Sequence, residues 1–235
     1  MVIFITGASR GIGKAIAEIF ATDSAGHTII MVAKQTAHLQ SIALQLQEQY
    51  PHATVLHYAC DLSHKTGIQS LQSWLYTQVE VVDVLVNNAG IFLPGSVYNE
   101  PENTLETMLQ VNLLSAYHVT RALLPNMIEK KSGHVFNICS VASIKAYENG
   151  GSYSISKFAL LGFGKNLREE MKPHNIKVTN IISGAVYTDS WSTSDVKKER
   201  IMEASDIAKI IYTASQLTAA ACVEEIIIRP QLGDL

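Results

Sequence analysis

The amino-acid sequence predicts a doubly wound α/β fold: a parallel sheet of about seven strands between two layers of helices. Three observations predict it. Short apolar runs with β character alternate with longer runs of helical period along the whole chain. The short runs are apolar almost throughout rather than at every second position, which suits a sheet buried on both faces. No repeat, low-complexity segment or proline-rich linker interrupts the alternation. Strands that alternate with helices imply parallel crossover units. At 235 residues the chain is expected to form one domain over 1–235.

The elements follow in order. VIFIT at 2–6 reads as the first strand, and residues 11–23 as a helix with Ile12, Ile16, Ile19 and Phe20 on one face. TIIMVA at 28–33 is a second strand, followed by a helix at 36–50 carrying Leu39, Ile42 and Leu46. ATVLHYA at 53–59 and VDVLVN at 82–87 are the third and fourth strands, with a helix at 64–78 between them. One long helix is expected over 103–130, with Leu105, Met108, Leu109, Asn112 and Leu113. GHVFNICS at 133–140 is the fifth strand, and a helix at 152–171 carries the run YSISK. IKVTNIIS at 176–183, a helix near 205–217 and EEIIIR at 224–229 complete the pattern. Ligands of such sheets bind beyond the carboxyl ends of the strands, so the loops after each strand are where chemistry is expected.

Composition narrows the function classes. Hydrophobic residues make up 47% and charged residues 17%, which allows a sizeable core. A formal net charge of -3 gives no sign of a nucleic-acid surface. The opening MVIFITG lacks a basic leader and does not read as a signal peptide, and no apolar stretch suggests a membrane span. Cys60, Cys139 and Cys222 are widely spaced, which points to buried thiols in a reducing cytoplasm. The eight histidines show no metal-ligand spacing, so no metal site is expected.

The loop after the first strand is TGASRGIG, residues 6–13. Gly7 permits a sharp turn, and Gly11 and Gly13 permit close approach of backbone to a phosphate at a helix N-terminus. Ser9 and Ile12 complete this loop. With NNAG at 87–90 and YSISK at 153–157, the spacing resembles the short-chain dehydrogenase/reductase family over essentially the whole chain.

The resemblance implies a Rossmann-type fold, a nicotinamide dinucleotide and a carbonyl or alcohol substrate. The second strand ends Val32-Ala33-Lys34 without the acid that NAD-preferring relatives carry. Lys34 and Arg10 together suit the extra phosphate of NADP(H). Asp61 resembles the residue that contacts adenine, with Leu62 beside it, and also suits a helix cap. Asn88, Ala89 and Gly90 are expected to line the cofactor, while Asn87 is expected to be chiefly structural. Val186 and Thr188 match the positions that contact the carboxamide, and Gly184 is expected near the nicotinamide.

Tyr153 and Lys157, four apart on one helix, resemble the family's proton donor and its activating cation. Lowering a phenol by ~3 units needs about 4 kcal/mol, and a lysine ~4.5 Å away supplies roughly 3–4 kcal/mol at an effective dielectric near 20. Ser140 resembles the serine that holds the carbonyl, with Ser143 as a competitor, although a strand-end hydroxyl also suits a local cap. Asn112 resembles a residue whose backbone holds a relay water; a neighbouring loop could equally satisfy its amide. For the substrate wall, Trp191, Tyr147 and Tyr187 are the aromatic candidates.

GAVYTDSW, SVASIKAY and VEEIIIRPQLGDL resemble the bacterial sepiapterin-reductase branch of the family, which implies a pterin side-chain ketone or a small ketone. A 3-oxoacyl-carrier-protein reductase is the alternative, and a non-catalytic NADP(H)-sensing module a third reading. The resemblance also implies a homodimer or homotetramer built on the two long helices.

Overall fold

The structure is a computed structural model that describes residues 1–188 and 196–234. A seven-stranded parallel sheet forms its centre. The strands are β1 (Val2–Thr6), β2 (Thr28–Ala33), β3 (Thr54–Ala59), β4 (Val84–Asn87), β5 (Gly133–Ser140) and β6 (Ile176–Ser183). Two short strands follow, β7 (Val186–Tyr187) and β8 (Met202–Glu203), and β9 (Glu225–Ile228) closes the sheet. The helices are α1 (Gly11–Thr22), α2 (Thr36–Gln49), α3 (Lys65–Gln78), α4 (Thr104–Leu109), α5 (Ser115–Lys130), α6 (Gly151–Met171) and α7 (Ala204–Ser215).

The sheet order is β3-β2-β1-β4-β5-β6-β9. The chain runs outward from β1 to β3, then returns so that β4 lies against the other side of β1. That reversal opens a crevice beyond the carboxyl ends of β1 and β4, where ligands of such sheets sit.

Alternation along each strand feeds two cores. Ile3 and Ile5 face a layer with Ile16 and Phe20 of α1, Leu39 of α2 and Ile207 of α7. Phe4, between them, faces Leu71 of α3, Leu123 of α5 and Leu167 of α6. Each such aliphatic or aromatic side chain contributes about 1.5–3 kcal/mol by leaving water.

Two features depart from the expected pattern. The long helix over 103–130 contains a π-helical segment, Gln110–Leu114, between α4 and α5. The apolar period continues through it, so the period gave no sign of the wider turn. The mini-sheet of β7 and β8 was also not expected; it pairs Val186 with Met202 and Tyr187 with Glu203. Cys60 and Cys139 are buried, as the pattern suggested, but Cys222 is only half-buried.

Polar side chains cross the sheet interior. Asn87, Asn137 and Asn180 stand in register on β4, β5 and β6. Asn87 donates to Asn137 Oδ1 at 2.9 Å and to Thr120 Oγ1 at 2.9 Å, and Asn137 donates to Asn180 Oδ1 at 3.0 Å. Gly164 of α6 lies over this ladder, where a Cβ would collide with Asn180 Oδ1.

His134 of β5 is buried, stacked on Phe136 at 3.9 Å between centroids. Thr179 donates its hydroxyl proton to Val223, so His134 Nε2, 2.8 Å from Thr179 Oγ1, must donate to it. His134 Nδ1 has no partner among the described residues. Burial, and then the Lys177 charge, push the imidazole down to about 3 from an ordinary 6.5. The unfolded chain therefore binds the extra proton first as pH falls. The expected outcome is stability lost progressively from about pH 6.5 toward pH 3. Urea unfolding across that range should give a shallower acid slope for His134→Gln than for the wild type; equal slopes would remove His134 as the cause.

Candidate active site

The crevice is built by sewing loops together. The Thr6 hydroxyl, at the end of β1, accepts from Asn88 N–H and Ala89 N–H, each at 2.9 Å, and donates to Val86 O at 3.2 Å. The Asn88 amide returns the tie, donating to Thr6 O at 2.9 Å and Gly7 O at 3.1 Å. The glycine turn and the NNAG loop are thus one rigid unit across the strand reversal.

Gly7 and Gly11 have φ of 64° and 53°, left-handed conformations that favour glycine. A Cβ on Gly13 would strike the Gly7 carbonyl, so α1 can begin this close to β1 only with glycine there. Arg10, at the N-cap of α1, makes no side-chain cap bond of its own. The N–H groups of the first turn and the positive helix end can hold a pyrophosphate. The Thr188 side chain closes the outer side, its Cγ2 3.0 Å from where a Gly11 Cβ would stand. Ser9 and Ile12 are half-buried in the same turn, and Val186 is buried below Thr188.

Lys34, expected to face a phosphate, and Asp61, expected at adenine, are paired with each other at 2.7 Å. Asp61 also accepts from Ser63 N–H at 3.0 Å and Ser63 Oγ at 2.6 Å. Lys34 first, then Ser63, hold its carboxyl well below the usual carboxylate range. The Lys34 side chain stays 76% exposed, so its ammonium keeps donors for a second anion. Arg10 is exposed at the start of α1. The Leu62 side chain belongs to the core, leaving only its backbone toward the crevice.

At the ends of β5 and α6, Ser140, Tyr153 and Lys157 converge. Ser140 Oγ accepts from Ala142 N–H at 3.1 Å and lies close enough to the Tyr153 phenol to oppose the effect of burial on it. It therefore acts both as a local cap and as a partner of Tyr153. Ser143, the competitor, is buried and accepts from Ser140 N–H at 3.2 Å. Lys157 is buried, donates to Ile138 O at 2.8 Å, and has its Nζ 5.8 Å from the Tyr153 ring centroid. Gly90 lies before it; a Cβ there would stand 3.7 Å from Lys157 Nζ.

The proton chemistry runs opposite to the expected direction. Within the protein, burial raises the Tyr153 phenol, and the Ser140 hydrogen bond only opposes this. Burial also lowers the Lys157 ammonium. Desolvation is the largest cause for both members of the pair. A raised phenol keeps its proton at neutral pH, the form a proton donor needs.

Asn112 sits in the π-helical turn. Its amide accepts from Ile91 N–H at 2.7 Å and donates to Ile91 O at 3.0 Å and Ser156 Oγ at 2.9 Å. A neighbouring loop thus satisfies its side chain, and Ser156 in turn donates to Tyr153 O at 2.8 Å.

On the substrate side, Tyr147 is half-exposed and near enough to Tyr153 to interact with it electrostatically; burial pushes its phenol up to about 12. Tyr187 lies elsewhere, under the Lys198 ammonium at 5.7 Å and beside Gly11 and Lys14. Trp191 falls outside the described residues. Gly184 makes room for the C-terminal segment: a Cβ there would stand 2.9 Å from Pro230 Cδ. Phe92 had no part in the expected site, yet its ring meets Tyr153 edge-on at 4.9 Å. Its signal was position alone, two residues beyond NNAG.

A strand reversal, a glycine turn and a lysine-tyrosine pair at the sheet's carboxyl edge define a dinucleotide-binding α/β protein of the oxidoreductase type. The comparisons narrow this. The short chain dehydrogenase family model matches residues 1–199. Sepiapterin reductase of Chlorobaculum tepidum is 31% identical over 240 residues, covering 100% of this chain and 98% of the relative. The alcohol dehydrogenase of the archaeon Thermococcus sibiricus, complexed with 5-hydroxy-NADP, superposes with a TM-score of 0.89 at 26% identity, covering 98% and 96% of the two chains. A metagenomic short-chain oxidoreductase in complex with NADP gives 0.85 at 28% identity, covering 98% and 97%. The chain belongs to the short-chain dehydrogenase family.

Thr6 is 2% exposed, so Thr6→Val removes the acceptor shared by two part-buried N–H groups, leaving Ala89 N–H without it while Asn88 N–H keeps Val86 O at 3.1 Å. The expected loss is about 1–3 kcal/mol, or about 2–4 °C in Tm per kcal/mol, with Thr6→Ser near wild type. A Val variant as stable as the Ser variant in thermal unfolding would contradict the hub.

Proposed function

We propose that this protein is an NADP(H)-dependent carbonyl reductase whose proton donor is Tyr153. The observation that carries the reading is the orientation of Ser140. Its hydroxyl accepts from Ala142, which leaves its proton for Tyr153 or for a carbonyl oxygen seated beside it.

The residues present fit the dinucleotide. The N–H groups of Gly11, Ile12 and Gly13, with Ser9, would hold the pyrophosphate. Arg10 and Lys34 would hold the 2′-phosphate, and Asp61 with the Leu62 backbone the adenine. Asn88, Ala89 and Gly90 would line the ribose side, and Val186, Thr188 and Gly184 the nicotinamide side. When bound, the nicotinamide supplies the hydride that a carbonyl carbon accepts.

The chain's own groups serve the oxygen. The Ser140 hydroxyl and the Tyr153 phenol both reach toward a carbonyl oxygen at the end of β5. Tyr153 Oη passes its proton to that oxygen, and the Lys157 ammonium offsets the charge left on the phenolate. Asn112 steadies α6 through Ser156 and the NNAG loop through Ile91.

Likeness to the Chlorobaculum enzyme and the aromatic surroundings of Tyr153 support a flat ketone such as a pterin side-chain ketone. A carrier-protein substrate has less support, because a basic patch for an acidic carrier is lacking among the described residues and two cations of the run at 197–200 are engaged within the chain. Arg200 donates to the Gly233 and Asp234 carbonyls, and Lys198 pairs with Glu203. The three unpaired cysteines support a cytoplasmic site of action. The described residues contain no helix long and apolar enough to cross a membrane. Outward Ile155 and Phe158 on α6 support a homodimer or homotetramer through the long helices.

Tyr153→Phe should cut turnover by about 10²–10⁴-fold while NADPH binding persists. Near-normal reduction by that variant would refute the donor role. Lys34→Asp combined with Arg10→Ala should swing kcat/KM from NADPH toward NADH; an unchanged ratio would refute the phosphate assignment. Oxidation of NADPH should follow addition of sepiapterin, a small diketone or an acetoacetyl thioester, and no turnover with any would favour a sensing module.

A further inference from the structure

Helix α6 carries both Tyr153 and Lys157, so whatever fixes its first turn fixes the proton donor. That turn lacks a local cap: it begins at Gly151, and Gly150 before it provides no side-chain hydrogen bond. A carboxylate from another part of the chain fills the role. Glu100 accepts from Ser152 N–H at 3.3 Å through Oε2 and from the Ser152 hydroxyl through Oε1. Ser152 is fully buried and immediately precedes Tyr153. An anion at a helix N-terminus also meets the positive end of the helix dipole.

The same contact locks a loop. Residues 91–100 leave the NNAG motif, carry Phe92 across the Tyr153 ring and end at Glu100. Gly95 N–H donates to Asn149 O at 3.1 Å, and Ser96 Oγ to Asn149 Oδ1 at 2.9 Å. Gly151 has φ of 23°, and a Cβ on it would strike Gly95 O. The Gly95 backbone therefore lies directly against the helix start. A Cβ on Gly95 would stand 2.9 Å from Glu100 Cβ, so the loop folds back on its own carboxylate.

We infer that Glu100 is a positioning residue: by capping α6 from the opposite loop it sets Tyr153 and the Phe92 wall at a fixed separation. Phe92 in turn is a specificity residue. It is 48% exposed, packs against the donor's ring, and presents an apolar face to whatever carbonyl compound sits before Ser140. Together they select a flat, aromatic or conjugated ketone over a small aliphatic one. This rests on the carbonyl-reductase reading, and Ser152 links the two halves of the device.

The test compares Glu100→Ala, Glu100→Gln and Phe92→Ala in the full chain. Hydrogen exchange reads the latch without any catalysis: the Ser152 and Tyr153 amides should exchange at least about tenfold faster in Glu100→Ala than in wild type. Glu100→Gln keeps an acceptor and should restore most of the protection. In steady-state reduction, Glu100→Ala should lose at least about tenfold in kcat, with NADPH affinity retained, and Glu100→Gln should recover much of it. Phe92→Ala should raise KM for an aromatic ketone while leaving that for a small aliphatic diketone near wild type. Unchanged amide exchange in Glu100→Ala would overturn the latch even if no substrate is turned over. A wild type without reductase activity would instead refute the reading beneath it. Equal KM changes for both ketones would overturn the selective role of Phe92.

Discussion

The site depends on burying a lysine. Lys157 lies inside the protein at the end of a strand, and desolvation there works against its charge. The fold answers with a fixed partner. The Ile138 carbonyl receives the ammonium directly, and Gly90 keeps the surface before it bare. Asn112 braces the same region from the π-helical turn, bonded to Ile91 on one side and Ser156 on the other. Tyr153 shares the penalty, since burial that lowers the lysine raises the phenol. The pair is thus held where neither ionised form is comfortable alone, and a ligand that brings charge or dipoles has the greatest effect there.

That arrangement needs several loops to keep station within a fraction of an ångström. Thr6 joins β1 to the NNAG loop, and Thr188 packs over Gly11. Gln110, from the same π-helical segment as Asn112, donates to Ser63 O at 2.6 Å beside Asp61. The crevice between β1 and β4 is therefore bounded by side chains that hold backbone, not by loops resting on one another. Among them the Lys34–Asp61 pair is the most exposed and the easiest for an incoming phosphate to redistribute.

Much of this was legible in the sequence. The seven main strands begin and end within two residues of their expected positions, because long apolar runs flanked by turn residues leave little choice. The glycine turn, Ser140, Tyr153 and Lys157 were singled out by their resemblance to a family's motifs, and the structure brings the last three together. What stayed hidden depends on contacts between distant residues. Glu100 and Ser152 are 52 positions apart, and nothing in NEPEN marks a helix cap. The π-helical turn has the same apolar pattern as an α-helix, and its wider backbone turn leaves no mark in the sequence. The direction of the Tyr153 shift was misjudged because the spacing of a tyrosine and a lysine reveals their attraction and not the depth at which they are buried.

The asparagine ladder across β4, β5 and β6 bears on how the chain finds its fold. Parallel apolar strands can slide past one another with little loss, since one valine replaces another. Here a slip of one residue would strand the Asn137 amide in a dry interior and press Gly164 against the wrong neighbour. The ladder makes mispaired sheets expensive while adding little to the correct one. It penalises a shifted register, set beneath the strand ends that must align for Ser140 to meet Tyr153.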